Sequence, residues 1–388
     1  AMSVLHEKTN LPAICGRVCP HEKQCEGHCV LGKKGRPVRV GKLESFIAQF
    51  DADMHLTHER LPEKTRGKVA VIGSGPAGLT VAGDLARQGF HVTIFEGQQE
   101  LGGVLMYGIP EYRLPKAVVR NEIKKIEALG VNFVTNCLVG SPESGVTVDS
   151  LFADGFDAIF MGTGTALPQN LNIPGSDLRR VTQSTDFLHN VNAYIEGVLP
   201  REMVPLREGD RVAVIGAGNV AMDAARTARR LGADVTVVYR RTQADMPANR
   251  SEYEEAVAEG VNFMWQTNTL EFLGNEKGRV RALRLSGPEG ERTENFDRVF
   301  LAIGSRPAAR IVSTTTGIET DEKGYVIVGE RPMGMTTRRG VFAGGDVVHR
   351  PQTVVLAMKA AKEVAVGIAQ YVDAIKLLED CGLETPQA

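Results

Sequence analysis

Two stretches of this sequence carry the same glycine spacing, and the residues that follow them end in opposite charge. Val69-Ala70-Val71-Ile72-Gly73-Ser74-Gly75-Pro76-Ala77-Gly78 runs from an apolar strand into GxGxxG, and the next strand, Val92-Thr93-Ile94-Phe95, stops at Glu96. Val212-Ala213-Val214-Ile215-Gly216-Ala217-Gly218-Asn219-Val220-Ala221 repeats the pattern with alanine in place of the third glycine. Its next strand, Val235-Thr236-Val237-Val238-Tyr239, stops at Arg240-Arg241. In such a strand–turn–helix the first glycine allows the tight turn and the second lets backbone amides reach a pyrophosphate. The third lets helix and strand pack closely. The helix that opens after the turn presents its N–H groups and the positive end of its dipole to phosphate. A carboxylate about 20 residues further on accepts hydrogen bonds from a ribose 2′-OH, whereas guanidinium groups suit a 2′-phosphate. The first site is therefore expected to hold a dinucleotide with a free 2′-OH, such as FAD or NAD, and the second to prefer NADP(H).

A second chemical signal lies near the N-terminus. Four of the six cysteines, Cys15, Cys19, Cys25 and Cys29, fall in a C-x3-C-x5-C-x3-C pattern, with Pro20 directly after Cys19. Nothing in the sequence looks secreted, so disulfides are not the expected reading. Soft thiolates at close spacing suit an iron–sulfur cluster or zinc. Zinc usually prefers CxxC pairs, and a flavoprotein gains an electron partner from a cluster, so iron–sulfur is the favoured expectation. Cys137 and Cys381 stand alone and read as ordinary thiols.

The elements that must position these residues follow from the apolar pattern. Residues 1–64 lean helical and polar, with a basic stretch at Lys33, Lys34, Arg36, Arg39 and Lys42 that reads as a solvated face. Strands and helices then alternate as far as Asp157-Ala158-Ile159-Phe160-Met161-Gly162-Thr163-Gly164, and a similar block from about residue 210 ends at Arg298-Val299-Phe300-Leu301-Ala302-Ile303-Gly304. Another apolar strand, Gly340-Val341-Phe342-Ala343-Gly344-Gly345-Asp346, precedes a helical run from Thr353 and is best placed completing the first domain. The expected fold is α/β, with two Rossmann-like dinucleotide-binding domains, the second inserted in the first, plus an N-terminal helical cysteine-bearing segment. The expected boundaries are 1–64 for that segment, 65–175 with 306–388 for the first domain, and 176–305 for the second. A chain of 388 residues has ample core for this. Its net charge of −2 gives no general pull toward nucleic acid or anionic membrane. No apolar run reaches the length of a membrane span, and no signal-peptide core opens the chain, so a soluble cytoplasmic protein is expected.

These residues resemble the two-dinucleotide flavoprotein reductases, and within them the NADPH-dependent glutamate synthase small-subunit family. The resemblance rests on Leu101-Gly102-Gly103-Val104-Leu105-Met106-Tyr107-Gly108-Ile109-Pro110-Glu111-Tyr112-Arg113-Leu114-Pro115, Gly218-Asn219-Val220-Ala221-Met222-Asp223, Tyr239-Arg240-Arg241 and Met246-Pro247-Ala248-Asn249-Arg250. Cys15-Gly16-Arg17-Val18-Cys19-Pro20 and Cys25-Glu26-Gly27-His28-Cys29 belong to the same set. The wider family includes flavin subunits of ferredoxin–NADP transhydrogenases and sulfide dehydrogenases, and the N-terminal half of dihydropyrimidine dehydrogenase.

The resemblance implies FAD at the first site, held by Gly73, Gly75, Pro76, Ala77 and Gly78, with Glu96 on the adenosine ribose. It implies Gly102, Gly103, Arg113 and Gly164 along the flavin side, Gly345 and Asp346 at the ribityl or pyrophosphate region, and the helix from Thr353 aimed at the pyrimidine edge. NADPH falls to Gly216, Gly218, Asn219, Val220 and Ala221, with Arg240, Arg241 and Arg250 around its 2′-phosphate. Cys19, Cys25 and Glu44 are implied ligands of one four-iron (4Fe-4S) cluster and Cys29 of another. Relatives draw the remaining ligands from a further cysteine block upstream of the segment matching Cys15, which the present sequence does not include. The set here is therefore expected to be incomplete on its own, to be completed by a partner, or to be rearranged around one cluster or none.

Hydride transfer between two cofactors needs no acid–base catalyst, and none is assigned. The stretch from Leu101 to Arg113 and the second domain contain no cysteine, which tells against disulfide-reductase chemistry. The single tryptophan, Trp265, lies within the second domain, which tells against a flavin monooxygenase. The expected activity is oxidation of NADPH through FAD, with electrons passed to iron–sulfur centres of a partner: the glutamate synthase large subunit or a ferredoxin-like acceptor. No amidotransferase nucleophile is recognisable, so glutamate formation by the isolated chain is not expected. An NAD(P)H:acceptor oxidoreductase of another complex is the alternative enzyme, and a non-catalytic flavin-bound assembly protein the alternative without chemistry.

Overall fold

The computed structural model describes residues 1–383 apart from 55, 58, 351 and 352. Three helices, α1 (Met2–His6), α2 (Pro12–Val18) and α3 (Val40–Met54), open the chain. The first fingerprint then unfolds as β1 (Gly67–Ile72), α4 (Pro76–Arg87) and β2 (Phe90–Phe95), followed by α5 (Lys116–Ala128), β3 (Val131–Val134) and β4 (Ala158–Met161). The second runs through β5 (Val181–Gln183), α6 (Ser184–Ile195), β6 (Arg211–Ile215), α7 (Asn219–Arg230), β7 (Asp234–Val238), α8 (Arg250–Ala258) and β8 (Asn262–Met264). An antiparallel meander follows, β9 (Asn268–Gly274), β10 (Val280–Gly287) and β11 (Gly290–Asn295), and β12 (Arg298–Leu301) returns to the main sheet. The chain closes with β13 (Val328–Glu330), β14 (Met333–Thr336), β15 (Val341–Ala343) and α9 (Val354–Asp380).

The residues divide into two compact units. One comprises Ala1–Met106, Tyr112–Leu167 and Arg306–Ala388, the other Tyr107–Glu111 and Pro168–Ser305. Among the described residues the first unit holds a seven-stranded sheet of order β13-β14-β15-β4-β1-β2-β3, parallel from β15 to β3. The second holds a parallel five-stranded sheet of order β5-β12-β6-β7-β8 and the three-stranded meander. In both units the strand of the glycine fingerprint lies centrally, and its residues are buried on both faces, Val69, Ala70 and Val71 in one and Val212, Ala213 and Val214 in the other. Burial on both faces is why these strands read as unbroken apolar runs rather than alternating ones.

The N-terminal helices belong to the first unit through specific bonds. Ala13 N–H donates to the Glu122 carboxylate of α5 at 3.1 Å, and Asn10 bonds the Thr80 carbonyl of α4 at 3.0 Å. The last helix, α9, packs on α4, where Lys362 pairs with Asp84 at 2.9 Å. Among the described residues no helix is long and apolar enough to cross a membrane.

Candidate functional site

The first fingerprint folds into a turn tied down by its own neighbours. Gly73 N–H bonds the carbonyl of Phe95 at the end of β2, which brings Glu96 beside the turn. Glu96 is only 8% exposed, and one of its oxygens accepts from Ser74 N–H at 2.9 Å and Ser74 Oγ at 2.5 Å. Its other oxygen accepts from Gln98 N–H at 2.9 Å. Ser74 Oγ in turn accepts from Gly102 N–H at 2.9 Å, joining the Leu101–Pro115 motif to the turn. Ser74 is thus a positioning residue that the motif spacing does not reveal, because its hydroxyl acts through a segment 28 residues away.

Packing explains the glycines. A Cβ on Gly78 would sit 1.9 Å from the Gly73 carbonyl oxygen, so α4 lies on the turn as only glycine permits. A Cβ on Gly75, by contrast, would meet nothing within 4 Å. Gly75 is the N-cap of α4 and supplies no side-chain cap, so the first N–H groups of the helix face open space suited to a pyrophosphate. The C-terminal motif reaches the same place, since a Cβ on Gly345 would lie 2.9 Å from Ala77 Cβ. Gly103 approaches Gly75 as closely, its would-be Cβ 3.1 Å from Gly75 Cα. Gly73, Gly75, Pro76, Ala77, Gly78, Glu96, Gly102, Gly103 and Gly345 therefore gather around one turn, with half-buried Asp346 in the turn Gly345–Val347. Gly164 lies beyond the end of β4, Arg113 is half-buried before Leu114, and Thr353 caps α9 by accepting from Leu356 N–H.

The second fingerprint repeats this geometry. Gly218 is the uncapped N-cap of α7, again with nothing within 4 Å of a would-be Cβ, and buried Ala221 takes the close-packing position. Asn219 Oδ1 accepts from Asn249 N–H at 2.9 Å, which fixes the Met246–Arg250 loop against the turn. Val220 is exposed beside it. Arg240 and Arg241 follow β7 as exposed side chains, and among the described residues neither makes an ion pair. Their backbone is held from both sides. Thr267 N–H bonds the Tyr239 carbonyl and Gln266 N–H the Arg241 carbonyl, each at 2.9 Å, while Thr242 and Asp245 cap one another just beyond. Bonds from Thr242, with Arg241 nearby, hold the Asp245 carboxyl below its ordinary range. Arg250 opens α8 and pairs with Glu254 at 2.7 Å on an exposed face.

The cysteine segment is less closed. Among the described residues no three His, Cys, Asp or Glu side chains converge tightly enough to hold a metal ion. Several of the donors are nonetheless neighbours. A hydrogen bond with Cys15, burial, and the proximity of Glu44 and Cys25 push the Cys19 thiol up, and burial pushes up Cys25. Burial, with Glu122 nearby, raises Glu44 to about 7. Glu44 thus lies close enough to Cys19 and Cys25 to disfavour their thiolates, a conflict that a cationic iron centre would relieve. Cys29 stands apart, held below its ordinary value by the N–H groups of Val38, Leu31 and Gly32. The donor chemistry fits part of a cluster shell. Cys15 is buried beside Met358 and Thr9 and faces the core instead.

Comparison with known proteins places both halves of this description. Residues 67–361 match the family model for pyridine nucleotide-disulphide oxidoreductases, and residues 1–56 match that for dihydropyrimidine dehydrogenase domain II, 4Fe-4S cluster. The glutamate synthase [NADPH] small chain of Halomonas elongata is 35% identical over 394 residues, covering 96% of this chain and 82% of that one. The putative oxidoreductase UacF of Escherichia coli is also 35% identical and covers 94% of this chain, but this chain spans only 60% of UacF. Among solved structures, Mycobacterium tuberculosis FprA in complex with NADPH has a TM-score of 0.64 at 19% identity, covering 83% of this chain and 87% of FprA, a likeness of fold.

Proposed function

We propose a function from one premise: the chain belongs to the pyridine nucleotide-disulphide oxidoreductase family, in the group that contains the glutamate synthase small chains. On this reading it is the electron-input subunit of a larger complex, oxidising NADPH through FAD and delivering electrons to iron–sulfur centres of a large catalytic or ferredoxin-like partner. The observation that carries the reading is the contrast between Glu96, buried against the first turn, and Arg240-Arg241, free of ion pairs among the described residues after the second. When bound, NADPH supplies a hydride and FAD takes it up, to release the electrons singly.

The chain's own groups bind and orient. The open N-termini of α4 and α7 receive the two pyrophosphates, and Ser74 holds the Glu96 carboxylate for a ribose 2′-OH. Gly102, Gly103, Arg113 and Gly164 would lie along the flavin side, Gly345 and Asp346 would serve its ribityl or pyrophosphate region, and the positive end of α9 at Thr353 would favour a reduced, anionic flavin. Asn219, Val220 and Ala221 seat NADPH, and Arg240, Arg241 and Arg250 receive its 2′-phosphate. Cys19, Cys25 and Glu44 supply ligands to one iron–sulfur cluster and Cys29 to a second. Six free cysteines suit a reducing compartment such as the cytoplasm.

Mixing the FAD-loaded protein with a glutamate synthase large subunit tests the partner. Glutamate formation from glutamine and 2-oxoglutarate, dependent on NADPH and on both proteins, is the expected outcome. Dye reduction by NADPH without glutamate formation would instead assign the chain to another NAD(P)H:acceptor complex.

A further inference from the structure

The second unit carries a second concentration of cations, at the opposite end of its sheet from the coenzyme fingerprint. The fingerprint glycines follow the carboxyl end of β6, where open α/β sheets bind their ligands. Arg179 and Arg180 immediately precede β5, Arg207 lies just ahead of β6, Arg279 precedes β10, and Arg298 is the first residue of β12. With Thr182, these five arginines line a single cavity of about 280 Å³, and no acidic residue lines it among the described residues.

Its charges are not balanced from within. Arg298 is buried and donates to Asp210, whose carboxylate also accepts from Arg207 N–H at 2.9 Å. Among the described residues the guanidinium groups of Arg179, Arg180, Arg207 and Arg279 make no ion pair. Gathering like charges costs free energy unless something offsets it. Burial, with Arg298, Arg279 and Arg207 adding to it against Asp210, holds Arg180 below its ordinary value. The backbone is strained here as well. Arg180 adopts a φ of +75°, a region that a long side chain rarely enters. Hydrogen bonds on both sides enforce it. Arg179 N–H bonds Gly278 and its carbonyl accepts from Val280 N–H, each at 3.0 Å, and the Arg180 carbonyl accepts from Val299 N–H at 3.0 Å. Strained non-glycine residues held by their surroundings cluster at ligand sites.

We propose that this cavity is a binding site for a compact phosphate-class polyanion, distinct from the coenzyme site and held by Arg180, Arg279 and Arg207 with Arg179 and Arg298 at its sides. Guanidinium forks match phosphate oxygens two at a time, which favours phosphate over an anion of equal charge without that geometry. The cavity is several times the roughly 30 Å³ that one water occupies in the liquid, so a diphosphate-sized anion fits. Its cations converge from four separate stretches onto one small volume, which suits a compact anion.

Calorimetric titration with inorganic pyrophosphate, at constant ionic strength and with the coenzyme site saturated by NADP+, tests this. The expected result is one binding event in the wild type. It should weaken at least tenfold in Arg180→Gly and in Arg279→Gln, while NADP+ affinity measured separately changes less than twofold. Arg180→Gly relieves the strained φ, so this variant is expected to melt no lower than the wild type without anion. Citrate at the same ionic strength should bind at least tenfold more weakly than pyrophosphate. No binding heat, equal binding in the variants, or equal binding of citrate would each overturn the assignment. So would a lowered melting temperature of Arg180→Gly without anion, since the arginine would then serve the fold.

Discussion

At the scale of single residues the two nucleotide sites differ by a charge. Glu96 already has three protein donors, two from Ser74 and one from Gln98, which lock the carboxylate in place beside the first turn. Arg240 and Arg241 are the reverse case, exposed side chains on a backbone pinned by Gln266 and Thr267. Charge-assisted hydrogen bonds are worth about 1.5–3 kcal/mol each in favourable surroundings, and less at an exposed site. Replacing both arginines by alanine is expected to weaken NADPH binding by about 3 kcal/mol, a factor of roughly 100. NADH binding, measured by the same fluorescence titration, should change little. Equal weakening of both coenzymes would show that the pair serves something other than the 2′-phosphate.

At the scale of elements, α4 and α7 do similar work with different tolerances. A Cβ at Gly78 would meet the Gly73 oxygen at 1.9 Å, so Gly78→Ala must push α4 away from β1. We expect it to cost about 1–3 kcal/mol of stability and to lower the FAD bound per chain, both read from melting curves and flavin absorbance. Ala221→Gly in α7 should retain its coenzyme, because the wild type already accommodates the larger residue there. On the far side of α7, Arg226, 4% exposed on its side chain, is gripped by Glu252 at 2.9 Å and Glu259 at 2.8 Å, and Arg230 adds a second partner to Glu259. These arginines, Arg230 first, hold Glu259 down to about 2 from an ordinary 4.5. A carboxyl lowered on folding contributes stability that is complete above the unfolded value and is lost as pH falls through the folded one. Glu259→Gln should therefore cost about 1–3 kcal/mol at pH 7, and the difference from wild type should shrink between pH 4.5 and 2 in denaturant titrations. A difference that stays constant across that window would mean the carboxylate charge is not what matters. The fingerprint turns were legible in the sequence because their signal is local, a strand, three small residues and a helix within ten positions. The role of Ser74 was not, since its hydroxyl acquires meaning only when the fold brings Gly102 to it. The arginine cavity was equally hidden, because its side chains come from four separate stretches that only the sheet and the meander bring together.

For the whole molecule, one arrangement occurs twice. Each unit builds a parallel sheet around a glycine fingerprint and leaves an uncapped helix N-terminus at the strand's carboxyl end. The insertion of one unit within the other was visible because the apolar strand Val341–Ala343 returns only after the second fingerprint block, and it pairs with β4 in the first sheet. The N-terminal segment was readable as iron–sulfur in type but not in completeness, because its donors gather only in part, around Cys19, Cys25 and Glu44. The central claim is that one chain binds two different redox dinucleotides and passes reducing equivalents from the second to the first. Anaerobic titration of the FAD-loaded protein with NADPH, and separately with NADH, tests it most directly. Bleaching of the flavin absorbance by stoichiometric NADPH, with NADH far less effective, is the predicted result; a flavin that stays oxidised in excess NADPH would contradict it.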